Sequence, residues 1–369
     1  MVRLTRAQQQ ERTRAAVLVA AREEFAERGY AEATVDRIAE RAELTRGAVY
    51  SNFPSKRAVY LAVLADLVEG GAVGAAPSSP RSVGAALEAF ARVWLERLPL
   101  AGDPPADGRL RLRSLAGVVD DEPGRAALAQ VMRLEALLLG LALEARPPRR
   151  DRGRGRLVRV AELVLTLLDG AGHLAEAAPG FGDPFDVVRA CGQLGGVDLP
   201  DRWDPPHLPY VAPARPCREA WVPPAGLVDL LTGRRVGLDR DGVVALLGSG
   251  RLGAAEEAVR AAGPGGQVSV VAVTGDPAET GRLVRLRVGD LAGCARRVFG
   301  PDPWPGLRVV VDDRSRVAAA AGVPDPGDAT EAAARVRDGE IVARAEGRGA
   351  GHAAAAAAPG NQRPRGAGA

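Results

Sequence analysis

Apolar positions Val17, Leu18, Ala21 and Phe25 repeat at the three- and four-residue spacing of one helix face, after a polar opening from Thr5 to Arg14. Thr5 is the expected N-cap of this helix and Gly29 its stop. Thr34 opens a second, short helix through Ala42, with Asp36 in the first turn, where a negative charge complements the helix dipole. Glu43-Leu44 predicts a turn. Thr45 then caps a very short third helix ending near Asn52, and Pro54-Ser55 breaks the chain before a fourth helix begins at Lys56.

Residues 71–80 are small and Ser- and Pro-bearing, as in a connection. From Arg81 to about Leu194 the pattern is helical throughout, without strand signals. Phe90, Trp94 and Leu98 fall four apart on one face. Leu128, Met132, Leu134, Leu138 and Leu141 line a longer helix after Asp121-Glu122-Pro123, and Leu157, Val160, Val164, Leu167 and Leu168 line another. Phe185 to Leu194 forms a last short one. Residues 196–226 hold eight prolines, which predicts a semi-rigid linker. Beyond it the period changes. Val243 to Leu247, Val268 to Val273 and Leu307 to Val311 are short β-rich runs alternating with helical segments such as Ala254 to Ala262. Asp338-Gly339 between two alternating runs is a hairpin signal.

The chain therefore reads as multidomain: an all-α N-terminal part, divided into residues 1–70 and 81–195, the linker 196–226, and a small α/β domain over 227–350. The Ala- and Gly-rich segment 351–369 reads as a disordered tail.

Composition narrows the chemistry. A chain of 369 residues suggests two or three domains, and 46% hydrophobic with 26% charged residues is ordinary for a globular protein. A net charge of only +3 means that any nucleic-acid surface is local. Cys191, Cys217 and Cys294 are scattered, which suits a reducing compartment with neither a disulfide framework nor a zinc site. His173, His207 and His352 are equally dispersed, so no metal and no cofactor is expected. The opening is not that of a signal peptide, and no apolar run reaches the roughly 20 residues that a membrane span needs. The expectation is a cytoplasmic protein with no membrane partner. One oddity stands out: lysine and arginine together number 49, and Lys56 is the only lysine.

Two short helices joined by a tight turn and preceded by a long one form a helix-turn-helix unit. A helix entering the major groove needs a slim N-terminal end, which Arg46, Gly47 and Ala48 supply. Gly47 permits close approach, and Arg46 can reach guanine. Thr45, Ser51 and the Tyr50 hydroxyl can donate to phosphate oxygens. Lys56, in the first turn of the fourth helix, is placed as a phosphate clamp.

Residues 12–64 closely resemble the DNA-binding domain of TetR/AcrR-family transcriptional regulators. The matching pieces are the first helix ending in Phe25-Ala-Glu-Arg-Gly-Tyr30, the Thr34…Ile38-Ala39 helix, and Gly47-Ala48-Val49-Tyr50 followed by Phe53-Pro54-Ser55-Lys56. The resemblance implies phosphate contacts from Thr34, Thr45, Tyr50 and Lys56, with Arg46, Gly47, Ala48 and Asn52 facing bases. Glu43 departs from it, since the family usually has Gly in the turn. A positive φ there implies strain, and weaker affinity or a shifted turn.

The helical block 81–194 is similar to the family's ligand-binding and dimerisation region in length and helix count. It implies a homodimer through about 156–176 and 184–194, a palindromic operator on double-stranded DNA, and a small-molecule effector that shifts the spacing of the two recognition helices. Phe90, Trp94 and Met132 are the pocket candidates. The whole implies a ligand-responsive repressor and not an enzyme.

The C-terminal segment leaves two readings open. Gly248-x-Gly250-x-x-Gly253 between a strand and a helix is the context of a dinucleotide fingerprint, which would make the chain a DNA-binding module fused to a dinucleotide-binding or enzymatic domain, although no acidic residue ends the second strand at Val273. The order of elements also resembles the thioredoxin-like fold. The redox pair would lie after the first strand, where this chain has Ser249, Gly250 and Arg251, so dithiol chemistry is not possible.

Overall fold

The computed structural model describes residues 5–70, 80–98, 110–145, 156–201 and 203–357. In chain order these form helices α1 (Arg6–Glu32), α2 (Val35–Arg41), α3 (Arg46–Tyr50), α4 (Lys56–Glu69), α5 (Val83–Leu95), α6 (Glu122–Glu144), α7 (Val158–Ala177) and α8 (Pro184–Leu194). Then come β1 (Arg215–Ala220), β2 (Leu227–Val228), β3 (Arg235–Val236), β4 (Gly242–Gly248), α9 (Ala255–Ala262), β5 (Val268–Val273) and α10 (Thr280–Phe299). The chain continues through β6 (Leu307–Val311), α11 (Arg316–Ala320), β7 (Glu331–Arg337), β8 (Glu340–Glu346) and α12 (Ala350–Ala356). It divides into two units, one of Met1–Asp201 with Asp276–Trp304, the other of Arg202–Gly275 with Pro305–Ala369.

In the first unit, the expected helix starts are set by local caps. The side chains of Thr5, Thr34, Thr45, Ser55, Ser82 and Asp121 each accept from a backbone N–H in the first turn. Such caps contribute about 1 kcal/mol each. Thr5 and Gln8 complete a reciprocal capping box. Gly29 does not end α1. It kinks the helix at φ 72, and α1 runs on to Glu32.

The core of the N-terminal domain gathers Val17, Phe25, Ile38, Val49, Phe53, Leu61 and Leu64, together with Leu283 and Leu286 from α10. The sequence reading places residues 276–304 in the α/β domain. They belong instead to the helical unit, where Leu283, Val284, Leu286, Val288, Leu291 and Val298 are buried. One described helix, α6, is long and apolar enough to cross a membrane. Its Leu134, Leu137, Leu138 and Leu139 are buried within this unit, along with the ion-paired Glu135.

In the second unit, six strands pair in the order β1-β8-β7-β4-β5-β6. β4 runs parallel to β5 and β5 to β6, while β7 is antiparallel to both β4 and β8. The expected hairpin is present, with Asp338 at φ 49 and Gly339 at φ 74. Two positive φ values are what a tight two-residue turn requires.

Two segments differ from expectation. The Pro-rich stretch contributes β1 on the sheet edge, with a register shift between Pro216 and Glu219, and buries Trp221. Proline is tolerated at an edge because its missing N–H leaves no ladder position empty. Residues 350–356 form α12, whose Ala350, Ala354 and Ala355 pack with Val243 and Ala333. The remaining tail, 358–369, and the connection 71–79 lie outside the described residues.

Candidate nucleic-acid interface

The turn between α2 and α3 is built on Glu43, which stands at φ 53. The Leu44 N–H donates to the Ala39 carbonyl at 2.9 Å and the Glu43 N–H to the Glu40 carbonyl at 3.0 Å. This is the left-handed helix ending that normally takes Gly. It turns the chain so that Thr45 can cap α3, its hydroxyl accepting from the Ala48 N–H at 3.2 Å.

Val49 faces the core, and the opposite side of α3 is open. Thr45, Arg46, Gly47, Tyr50 and Ser51 are exposed, as is Thr34 at the start of α2, while Ala48 and Asn52 are half-buried. The Arg46 guanidinium lies 3.3 Å from Asp36 and 5.5 Å from the centre of the Tyr50 ring. Hydrogen bonding to Tyr50 and the charge of Asp36 both hold its pKa above the usual value. Ser51 Oγ and Asn52 Nδ2 both donate to the Ala48 carbonyl, at 2.8 and 2.9 Å. Arg37 is a further exposed cation on α2. Sequence reasoning passed over it because arginine is abundant everywhere. Arg41, by contrast, is paired with Glu23, Glu24 and Glu27 of α1.

Lys56 is placed differently from a phosphate clamp. Its ammonium donates to the carbonyls of Tyr30, Ala31 and Ala33 at 2.8, 3.3 and 3.2 Å. An ammonium has three protons, and these three acceptors at the end of α1 match them.

The pocket candidates are core residues. Phe90 is fully buried and Trp94 nearly so, their rings 5.7 Å apart, while Met132 is half-buried. The Trp94 ring carries the Arg97 guanidinium at 3.8 Å and that of Arg287, from α10, at 5.9 Å.

Two glycines of the Gly248-x-Gly250-x-x-Gly253 run, Gly248 and Gly250, have a structural cause in the fold. A Cβ at Gly248 would lie 2.3 Å from the Asp328 carbonyl oxygen, and one at Gly250 would lie 2.9 Å from it. The space a phosphate needs beside the glycines holds this chain's own loop. The Asp328 carboxylate accepts from Ser249 Oγ at 2.7 Å, Thr274 Oγ1 at 2.6 Å and the Gly275 N–H at 3.2 Å. Partial burial would raise its pKa, but these hydrogen bonds hold it below the usual value. Among the described residues no three metal-ligating side chains cluster, and the three cysteines are free.

Residues 17–63 match the family model described as bacterial regulatory proteins, tetR family. This segment is a helix-turn-helix DNA-binding domain of the tetR type. The match covers α1 from Val17 through most of α4, so it contains every residue of the exposed face just described. Similar solved structures include a TetR transcriptional regulator from Rhodococcus sp. RHA1, at 21% identity and TM-score 0.33 over 52% of this chain and 99% of that one. NalD of Pseudomonas aeruginosa, the secondary repressor of the MexAB-OprM multidrug efflux pump, gives 21% and 0.33 over 52% and 99%. The fatty acid degradation regulator FadR from Bacillus halodurans gives 20% and 0.25 over 50% and 98%. No curated protein matches the chain.

Proposed function

We propose that this chain is a sequence-specific transcriptional regulator, a repressor that binds a palindromic operator as a homodimer. The observation that carries the reading is the exposed face of Thr34, Thr45, Arg46, Gly47, Tyr50 and Ser51 on the tetR-type domain. Gly47 lets α3 approach the base edges, and Arg46 exchanges Asp36 for guanine. The hydroxyls of Thr34, Thr45, Tyr50 and Ser51 anchor on phosphates, and Ala48 and Asn52 lie along the same groove. Lys56 supports this face from behind by fixing the end of α1 against α4.

Dimerisation is assigned to α7 and α8. Leu163, Leu174, Phe181 and Phe185 are large apolar side chains left exposed along these helices and their connection, as on a surface that pairs with a second copy. A small-molecule effector acting on the helical unit shifts the dimer between DNA-binding and released states. In the second unit, the order β5-β4-β7-β8 with helices α9 and α12 supports a thioredoxin-like core. Ser249, Gly250 and Arg251 follow its first parallel strand, so its role is regulatory rather than redox.

Selection from a pool of random duplexes tests the reading. The full chain should enrich two inverted half-sites about one helical turn apart, with two protomers per duplex. Absence of any enriched sequence would sink it.

A further inference from the structure

The N-terminal domain's core is not closed by the first 70 residues. Leu283 and Leu286 of α10 sit in the same buried cluster as Ala58, Leu61 and Leu64 of α4. The two helices approach closely, a Cβ at Gly289 falling 3.3 Å from a methyl of Val68. Polar contacts hold α10 along its length. Glu279 accepts from Ser55, the cap of α4, and pairs with Arg57, while Arg282 donates to the Ala58 carbonyl at 2.7 Å. Further along, Arg287 pairs with Glu135 at 2.7 Å and with Asp169 at 3.1 Å. Asp290 pairs with Arg97 at 2.6 Å and with Arg113. Arg297 meets Glu96 at 2.6 Å, and Trp304 Nε1 donates to the Leu138 carbonyl at 2.7 Å.

We infer that α10 is a built-in effector of the DNA-binding domain, whose seating in the helical unit sets the position of α4 and hence of α3. Two features make it a signal rather than a passive filler. First, it comes from a segment far along the chain from the helices it packs on, lying between β5 and β6 in sequence. Second, the middle of its seat is ionic. Ion pairs withdrawn from water contribute little net stability compared with apolar packing, but a mismatched charge there is strongly unfavourable. Such a seat fixes register and is reversible. The seated helix completes the core beneath α4, so the seated state is the DNA-binding state, and withdrawal uncovers that core and releases DNA. This inference rests on the DNA-binding reading.

The test uses the full chain with Cys217→Ser and a reversible crosslink, Val68→Cys with Gly289→Cys. Asp290→Arg sets a like charge against Arg97 and Arg113 and should unseat α10. DNA affinity should fall about tenfold or more, and the amides of Lys56–Glu69 should lose hydrogen-exchange protection. Oxidising the crosslink in the same chain should restore both, and reduction should remove both again. The inference is overturned if α4 keeps its protection in Asp290→Arg. Failure of the crosslink to form in the otherwise unchanged chain, or formation without restoration, overturns it too. So does DNA affinity within about twofold of the parent despite lost protection. If the parent itself binds no DNA, the DNA-binding reading fails, while the exchange measurements still report whether α10 holds α4.

Discussion

The Lys56 ammonium lies 2.8 Å from the Tyr30 carbonyl oxygen and 4.5 Å from the centre of the Tyr30 ring. Carbonyls at the end of a helix lack intrahelical partners, and α1 ends here just beyond its kink at Gly29. A compact ammonium on a flexible stem can meet three converging oxygens, whereas a planar guanidinium presents its donors in a fixed fork. That difference gives a reason for one lysine in a chain that otherwise uses arginine.

Lys56→Ala should lower the stability of the N-terminal domain by about 1–3 kcal/mol, because the part-buried Tyr30 and Ala33 carbonyls lose their donor. Lys56→Arg should recover only part of this. DNA affinity should fall with the folded fraction, leaving the salt slope unchanged. Unfolding titrations paired with binding at several salt concentrations check this. Unaltered stability with a slope reduced by about one would assign Lys56 to a phosphate instead.

Glu43→Gly should stabilise the domain by about 1 kcal/mol, since glycine adopts the left-handed conformation without steric cost. It also removes a negative charge beside α3, so DNA binding should tighten more than stability alone explains. Chemical denaturation and gel-shift titration of the same preparation separate the two effects.

The Asp328 carboxylate has a folded pKa below its unfolded one, so the deprotonated form stabilises the fold. That contribution is fully present above the unfolded value of about 4 and is lost as pH falls below it through the folded pKa. Asp328→Asn should flatten the acid limb of the second unit's stability curve over that range. A mutant and parent with parallel acid limbs would contradict the assignment.

Leu163→Glu together with Phe185→Glu should shift sedimentation from dimer to monomer and weaken operator binding by about tenfold or more, with thermal stability of the monomer retained. Dimer sedimentation of this variant would place the interface elsewhere.

The helix starts were legible in the sequence because an N-cap is a local event, set by one hydroxyl or carboxylate and the next three residues. Strands β4, β5 and β6 were legible for the same kind of reason, through short β-branched runs bounded by turns, whereas β1 lies within the Pro-rich stretch that reads as a linker. The position of α10 was not legible. Its arginines mask the helical pattern, and the acids that pair with Arg287, Glu135 and Asp169, are more than a hundred residues away in the chain. At the candidate interface, the exposed positions Arg46, Gly47 and Tyr50 of α3 were readable from a motif. The engagement of Lys56 was not, because nothing local shows that the end of α1 folds back onto α4. The glycines from the end of β4 onward had a plausible phosphate-binding spacing, but at Gly248 and Gly250 the cause is the close approach of Asp328, a contact only the fold creates.

The most direct test of the central claim is the base preference of Arg46→Ala on the selected operator, measured by titrating duplexes altered one position at a time. The account predicts that discrimination relaxes by about 1–3 kcal/mol at one guanine in each half-site and stays intact elsewhere. Uniform weakening at every position, or no change at all, would contradict it.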